Sequence, residues 1–325
     1  AAMTEHPRQA LVADIGGTNA HFAIADIDEL TIAHFAVFRC ELFPSLVAAV
    51  EAYMASIPYR PAMAGFAVAG PVAGETMRLT NRDWTFTRSD LLRATGAERL
   101  HLVNDFEALA LALPWLGAHD LHRIGGGEPA AHGTKVVLGP GTGLGVAGLA
   151  HTPSGWIGLA GEGGHVSFPA QNAEELAILE SVRRDGGYVS AERLISGPGL
   201  VAAYRALGGR GLETAAAVTG AALAGEDPLA GRVLALFSSW LGRFAGDIAL
   251  VHGARGGVYL GGGIAPKIVA ALEAGGFRRA FEVKGRLSSY LEAIPVQVIT
   301  AADAGLRGAA VALSEAVSRA AAAQA

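Results

Sequence analysis

Two stretches of this chain share one pattern, in which a turn containing Gly-Thr joins two apolar strands. The first, residues 11–27, reads LVADIGGTNAHFAIADI, and the second, residues 136–150, reads VVLGPGTGLGVAGLA. A shift of 124 positions lays Gly17-Thr18 on Gly141-Thr142. Such a match also arises by chance in a chain with 44 glycines. A genuine repeat would give the fold one strand–turn–strand copy per domain.

Elsewhere, strands alternate with helices, which predicts an α/β fold. A chain of 325 residues exceeds most single cores, so we expect two domains. The opening strands, 11–15, 20–26 and 32–38, have short connections and predict an antiparallel meander. Pro266 is expected in the first turn of a helix after Gly261–Gly263. Further strands are predicted within 63–72, 99–103, 257–260 and 294–300. Helices are predicted within 44–56, 89–96, 106–116, 172–187, 229–251 and 306–323.

Local signals mark the ends of two of these helices. Ser89 is positioned to cap the helix at 89–96, and Gly96 to end it. Asn172 is positioned to cap the helix at 172–187, with Glu175 completing a capping box. In that helix Leu176, Leu179 and Val182 share one face.

The composition excludes several classes of protein. The net charge is -5 and lysine occurs only at positions 135, 267 and 284, which argues against nucleic acid or an anionic membrane as the main partner. The single cysteine, Cys40, excludes an intramolecular disulfide and a multi-cysteine zinc site, and fits a reducing cytoplasm. No run of 18 apolar residues and no signal peptide is evident, so we expect no membrane association.

Each glycine turn has an ordinary interpretation and a functional one. Gly16-Gly17 and Asn19 suit a hairpin turn, and Asp14 could bond to turn amides. Alternatively, backbone N–H groups of Gly16 and Gly17 and the Thr18 hydroxyl bind a phosphate, and Asp14 holds magnesium through water. The run from Gly139 to Gly145 lacks a Walker A lysine and is best explained as a second nest of donors for an anion.

Other polar residues stand where chemistry is feasible. Asn104 or Asp105 can cap a helix, but a cap explains only one of the pair. Glu162 and His165 lie among glycines that disfavour a helical metal site, so a site for sugar hydroxyls is more plausible. Glu192 also fits an exposed helix carboxylate. The loop at residues 80–86 could line a cleft or form a surface turn with Trp84 packed inward.

Together these motifs resemble one family, the bacterial ATP-dependent glucokinases of the hexokinase–actin–Hsp70 superfamily. The resemblance extends from residue 11 to about residue 308. It rests on six motifs in family order, which are ADIGGTNAHFA, NDFEALALA, LGPGTGLGVA, GEGGHVSF, SAERLISGPGL and VYLGGGIAPK. The related repressor/ORF/kinase group carries a multi-cysteine zinc motif that this chain lacks, so the resemblance is to the zinc-free glucokinases.

The resemblance implies a two-lobed actin-like ATPase/hexokinase fold, with a mixed sheet and flanking helices in each lobe and a cleft between them. The implied lobes are a small one at 1–114 and a large one at 115–303. A C-terminal helix at 304–325 would return to the small lobe.

The resemblance also implies a role for each motif. Asp105 would be the catalytic base. The sugar ligands would be Asn104, Asp105, Glu162, His165 and Glu192. ATP would be bound by Asp14, Gly16, Gly17, Thr18, Asn19, Gly141, Thr142, Gly143, Gly261, Gly262 and Gly263.

The implied cofactors are ATP and Mg²⁺, with Asp14 on the magnesium and no zinc. The implied substrate is glucose, phosphorylated at its 6-hydroxyl, and the family is commonly homodimeric. Two alternatives stay open at this stage. One is a kinase for mannose, fructose or an N-acetyl hexosamine, and the other is a non-catalytic sugar sensor on the same fold.

Overall fold

The computed structural model describes residues 8–58, 60–70, 72–79 and 82–323, and it divides the chain into two units. Unit 1 comprises the chain up to Leu116 together with the segment from Ala301 onward. Unit 2 comprises Gly117–Thr300. Both units combine a mixed β-sheet with helices, so the predicted α/β class is confirmed.

Unit 1 is built on a sheet whose strand order is β3-β2-β1-β4-β7 within the described residues. The first three strands form the predicted antiparallel meander, and β4 and β7 then add in parallel to β1. A separate pair, β5 and β6, forms a small antiparallel sheet. The strands are β1 Gln9–Ile15, β2 Asn19–Asp26, β3 Ile32–Arg39, β4 Met63–Val68, β5 Thr76–Arg78, β6 Thr85–Thr87 and β7 Arg99–Asn104.

Helices cover both faces of the sheet in unit 1. On one face, Phe22 of β2 stacks on Tyr53 with ring centroids 5.1 Å apart, and Phe66 joins the same fully buried cluster. On the other face, the last helix of the chain packs against β1, β4 and the helix that follows β7. The helices of unit 1 are α1 Leu46–Ser56, α2 Arg88–Thr95, α3 Asp105–Ala112 and α11 Ala304–Ala322.

Unit 2 repeats this topology with one extra strand. Its order among the described residues is β11-β10-β9-β12-β13-β8, in which β11, β10 and β9 are antiparallel and β12 and β13 are parallel to β9. Strand β8 adds antiparallel at the edge. The internal repeat seen in the sequence therefore corresponds to a repeated sheet order. The strands are β8 Leu121–Gly125, β9 Lys135–Pro140, β10 Leu144–Thr152, β11 Gly155–Gly161, β12 Gly257–Leu260 and β13 Val296–Ile299.

A long central helix dominates the core of unit 2. This helix, α7, buries Phe237, Trp240 and Phe244 against the sheet and its neighbours. It is long and apolar enough to cross a membrane, but 72% of its most apolar window is buried inside the structure. The helices of unit 2 are α4 Ala173–Arg184, α5 Gly197–Ala206, α6 Ala215–Ala224, α7 Pro228–His252, α8 Val269–Glu273, α9 Gly276–Glu282 and α10 Ser288–Glu292.

Two predicted helix ends need correction. Thr87, rather than Ser89, caps α2, because the end of β6 already holds Thr87 extended and Asp90 completes a capping box with it. Asn172 caps α4 as predicted, but the Glu175 carboxylate accepts from the backbone N–H of Gln171 instead of Asn172.

The buried face of α4 and the turn at Pro266 also differ from expectation. Leu176 is 51% exposed, and the buried face is formed by Glu175, Ile178 and Val182. Glu175 is buried because it bonds to Trp240 Nε1 and to the Arg243 guanidinium. Pro266 lies in a 3₁₀ turn that precedes the short α8, since α8 begins only at Val269.

Helix α11 approaches α3 so closely that only glycine fits at position 308. A Cβ atom there would overlap the Ala108 carbonyl oxygen of α3. By contrast, a Cβ atom at Gly231 in α7 would meet nothing within 4 Å. Two helical glycines of this chain thus differ sharply in their surroundings.

We expect Gly308→Ala to lower the free energy of unfolding by about 1–3 kcal/mol, because α11 must move away from α3. The matched change, Gly231→Ala, should raise it by roughly 0.5–1 kcal/mol through higher helix propensity. Urea unfolding of both variants measures the difference. Equal effects of the two substitutions would contradict the close packing of α11 on α3.

Candidate functional site

The expected site residues of unit 1 lie at one edge of its sheet. Strands β1, β4 and β7 are parallel, and the register pairs Ile15 with Val68 and Val68 with Asn104. The turn at Gly16–Asn19 and the Asn104–Asp105 junction therefore both follow the carboxyl ends of parallel strands. In open α/β sheets this edge is where ligands bind.

Two backbone donors of the first hairpin turn have no acceptor among the described residues. Gly16 N–H donates to the Asn19 carbonyl at 3.0 Å, and Cys40 N–H donates to the Thr18 carbonyl at 2.9 Å. The N–H groups of Gly17 and Thr18 donate to no described residue. Carbonyls of the turn are thus engaged by the protein, while two successive N–H groups have no acceptor among the described residues, which is a feature of anion-binding turns.

Asp14 lies at the end of β1, just before this turn. Its Oδ2 is 3.8 Å from Nδ1 of His21, the residue paired with it on β2. Gly305, in the first turn of α11, lies so close that a Cβ atom there would overlap the Asp14 carboxylate. Sequence reasoning missed Gly305, because a glycine in a helix can signal a close approach but nothing in the sequence identifies Asp14 as the partner.

Asn104 and Asp105 join β7 to α3, and their side chains have different tasks. The Asn104 Oδ1 accepts from the N–H groups of Phe106 at 3.0 Å and Glu107 at 3.1 Å, so Asn104 is the helix cap. Its Nδ2 donates to the Gly70 carbonyl at 3.2 Å, which leaves one N–H for a ligand. Asp105 is the first residue of α3, is half-buried, and accepts from Phe106 N–H.

The second hairpin turn, in unit 2, meets two other loops at the carboxyl ends of β9 and β12. Gly141 N–H donates to the Gly143 carbonyl at 2.8 Å, while those of Thr142 and Gly143 donate to no described residue. The Gly141 carbonyl accepts from Gly197 at the start of α5, 2.8 Å away. Sequence reasoning missed Gly197, although the stretch SGPG at 196–199 carries helix-start signals.

The Gly261–Gly263 turn packs directly on this hairpin. A Cβ atom on Gly139 would lie 2.5 Å from the Gly261 carbonyl carbon. Gly262 has φ +76°, a conformation that favours glycine, and Ile264 N–H donates to the Pro140 carbonyl. The N–H groups of Gly262 and Gly263 have no acceptor within the described chain. In unit 2, the N–H groups of Thr142 and Gly143 on one turn and of Gly262 and Gly263 on the adjoining turn therefore have no acceptor within the described chain.

The expected sugar ligands of unit 2 surround the second hairpin. Glu162 and His165 flank a 3₁₀ turn, with Glu162 Oε2 and His165 Nε2 3.8 Å apart and both side chains mostly exposed. Glu192 Oε2 accepts from Leu144 N–H, the residue after Gly143, at 2.9 Å. Glu192 is thus fixed by the hairpin backbone through one oxygen, rather than lying as a surface carboxylate on a helix.

Tyr188, which sequence reasoning missed, holds the loop that carries His165. Its hydroxyl donates to the His165 carbonyl at 2.8 Å and lies 3.1 Å from Ser167 Oγ. The neighbouring residue Arg193 donates to the carbonyls of Tyr188 and Val182 and so fixes the Tyr188 backbone. The signal for this contact is absent from the sequence, because the partners are 23 positions apart in irregular structure.

The loop predicted at residues 80–86 is described only in part, since Thr80 and Asn81 lie outside the described residues. Trp84 packs inward with 4% exposure, as one of the two interpretations expected. Arg82 Nη2 donates to the Cys40 carbonyl at 2.8 Å. Burial raises the pKa of the Cys40 thiol and the Arg82 charge partly offsets this, so the thiol stays protonated at neutral pH and can donate to the Gly16 carbonyl.

The donor set fits one hard cation shared with phosphates. Asp14 offers carboxylate oxygens beside the first hairpin, and Mg²⁺ typically takes one or two carboxylates, substrate phosphates and water. Within the described residues, no group of three or more His, Cys, Asp or Glu side chains could hold a metal ion.

Comparison with known proteins gives one consistent result. A family model described as Glucokinase matches residues 11–316. A glucokinase of Ralstonia nicotianae is 44% identical, over 97% of this chain and 97% of that protein. The crystal structure of a glucokinase from an Antarctic psychrotroph superposes with a TM-score of 0.81 at 35% identity, covering 95% of this chain and 99% of that one.

A more distant structure shares the fold alone. It is a ROK family glucokinase from Streptomyces griseus in complex with glucose and AMPPNP, with a TM-score of 0.64 at 22% identity. The match covers 94% of this chain and 99% of that one.

We expect Tyr188→Phe to loosen the loop at residues 162–168, because it removes the hydroxyl bonded to the His165 carbonyl. One such bond contributes roughly 0.5–1.5 kcal/mol, so amide hydrogen exchange of this loop should speed up by about 2- to 12-fold. Tyr290→Phe is the matched control, since its hydroxyl bonds to no described residue. Unchanged exchange in Tyr188→Phe would show that the loop is held by other contacts.

Proposed function

The chain belongs to the glucokinase family, and we propose that it transfers the γ-phosphoryl group of ATP to the 6-hydroxyl of glucose, giving glucose 6-phosphate and ADP. The observation that carries the proposal is the position of Asp105. It begins α3 at the same sheet edge as the Gly16–Asn19 hairpin, next to a cap residue with one N–H to spare. A carboxylate beside an anion-binding turn suits a base for phosphoryl transfer to an alcohol.

In this proposal, polar side chains bind the hydroxyls of the sugar. Asn104 donates through its remaining Nδ2–H, and Glu192 accepts through Oε1, since Oε2 is held by Leu144 N–H. Glu162 and His165 bind further hydroxyls. Groups arranged to pair with hydroxyls penalise a sugar that lacks one, because a polar group is then left without a partner.

Asp105 accepts the proton of the 6-hydroxyl as the oxygen attacks the γ-phosphorus. The new bond joins O6 to phosphorus, the bond from phosphorus to the β,γ-bridging oxygen breaks, and ADP leaves with that electron pair. The proton on Asp105 then passes to water.

The nucleotide phosphates bind to the outward N–H groups of the glycine turns. These are Gly17 and Thr18 in unit 1 and Thr142, Gly143, Gly262 and Gly263 in unit 2. Gly16, Asn19, Gly141 and Gly261 shape the same turns, which is why they belong to the proposed ATP site. Asp14 would hold Mg²⁺ through water, and the ion supplies neutralisation of phosphate charge when bound. Glucose and AMPPNP, the ligands of the Streptomyces griseus structure, are the corresponding substrate and ATP analogue.

The proposal extends to the setting of the enzyme. We propose a cytoplasmic homodimer that acts on small molecules rather than on nucleic acid or membranes. A buried free cysteine, Cys40, and a net charge of -5 support this setting. The dimer rests on analogy with the family.

We expect Asp105→Asn to lower kcat by about 10²–10⁴-fold, because an amide cannot take the proton. Glucose binding should stay nearly unchanged, since the amide keeps the shape of the carboxylate. Glu107→Gln is the matched control in the same helical turn, and burial against α11 already raises the pKa of Glu107. An ATP-coupled assay and calorimetric titration with glucose measure both effects. Near-normal turnover in Asp105→Asn would rule out the base assignment.

Substrate choice is tested with the wild-type enzyme and a panel of glucose, mannose, fructose and N-acetylglucosamine. We expect the highest kcat/KM for glucose. A higher value for another sugar would reassign the kinase to that hexose. Absence of ATP-dependent phosphorylation of every hexose would favour the sugar sensor, although Asp105 and both hairpins are intact in this chain.

A further inference from the structure

The first phosphate hairpin is held from behind by Cys40. Cys40 N–H donates to the Thr18 carbonyl at 2.9 Å, and its thiol lies 3.6 Å from the Gly16 carbonyl oxygen. These contacts fix the carbonyls on either side of Gly17. The orientation of the outward N–H groups of Gly17 and Thr18 therefore depends on where Cys40 stands.

Arg82 in turn fixes Cys40. Its Nη2 donates to the Cys40 carbonyl at 2.8 Å, and its guanidinium carbon lies 4.7 Å from the centroid of the buried Trp84 ring. The Arg82 Nε is buried without a partner among the described residues. Trp84 and the Cys40 carbonyl thus determine the guanidinium position within the described chain.

The charge of Arg82 is not matched by a described carboxylate. The neighbouring Asp83 pairs with Arg78 at 2.6 Å, on the exposed side of the loop. A half-buried cation without an acidic partner raises the electrostatic potential around it and favours a nearby anion. A hydrogen bond from a charged guanidinium is stronger than a neutral one, so it holds the Cys40 backbone, and with it the Cys40 N–H that donates to Thr18, in place.

We propose that Arg82 is a positioning residue for nucleotide binding, which acts through Cys40 to hold the Gly17 and Thr18 N–H groups toward the phosphates. This inference rests on the proposed function for the identity of the anion. It assigns Arg82 no contact with the sugar and no part in proton transfer. A planar guanidinium can stack on Trp84 and bond to Cys40 at once, whereas a lysine ammonium cannot make the same pair of contacts.

The test compares Arg82→Gln and Arg82→Lys with the wild-type protein. We expect Arg82→Gln to raise KM for ATP and Kd for AMPPNP about tenfold, as the loss of one charge-assisted bond would. KM for glucose should stay within about twofold, because no sugar ligand is touched. Arg82→Lys should fall between the two, since it restores charge without the fork geometry. Arg78→Gln is the matched control, because Arg78 is an exposed arginine of the same loop region.

The outcomes separate this inference from the proposed function. Wild-type protein that phosphorylates no hexose would overturn the proposed function, while AMPPNP binding would still test Arg82. Unchanged AMPPNP affinity in Arg82→Gln, in an enzyme that phosphorylates glucose, would overturn the positioning role alone. A similar rise in KM for both substrates, or full activity of Arg82→Lys, would also overturn it. Thermal unfolding of each variant accompanies the kinetics, and a lower midpoint with unchanged nucleotide affinity would indicate a structural role only.

Discussion

The site depends on backbone N–H groups that the fold leaves unpaired at the carboxyl ends of parallel strands. A buried N–H normally finds an acceptor, but Thr18 and Thr142 are exposed, so their N–H groups are open to solvent and need no acceptor from the protein. Here the carbonyls of Gly16, Thr18 and Asn19 in unit 1 and of Gly141 and Gly143 in unit 2 are all engaged. Gly17 and Thr18, and Thr142 and Gly143, are left as donors in pairs. The glycines permit this backbone geometry.

Different residues hold the backbone of the two hairpin turns in place. The turns differ by one residue, since Ile15 pairs with Ala20 across four residues and Pro140 pairs with Leu144 across three. The first is held by Cys40 and Arg82, which belong to no predicted ligand set. The second is held by Glu192, a proposed sugar ligand. The repeated strand–turn–strand pattern therefore has separate supports in the two units, and the support in unit 2 includes a proposed sugar ligand.

Features set by short-range interactions were predictable from the sequence. The two glycine turns, the meander and the Gly96 helix end depend on neighbouring residues, and they occur as expected; of the two residues expected to cap α3, Asn104 is the cap. Where a local capping signal conflicted with a tertiary contact, the tertiary contact determined the structure. Thr87 caps α2 instead of Ser89, because β6 fixes the Thr87 backbone. Glu175 forms no capping box with Asn172, because its carboxylate bonds to Arg243 and Trp240.

The supports of the site were not predictable, because each joins residues distant in sequence. Gly305 meets Asp14 only because α11 returns to β1, and Arg82 meets Cys40 across 42 positions of sequence. Neither pair has a periodic or spacing signal. Family resemblance identifies groups that contact substrate, since their types recur in motifs. The residues that hold those groups in place are determined by tertiary packing. The contacts of Arg82 with Trp84 and with the Cys40 carbonyl can therefore be identified only in the three-dimensional structure.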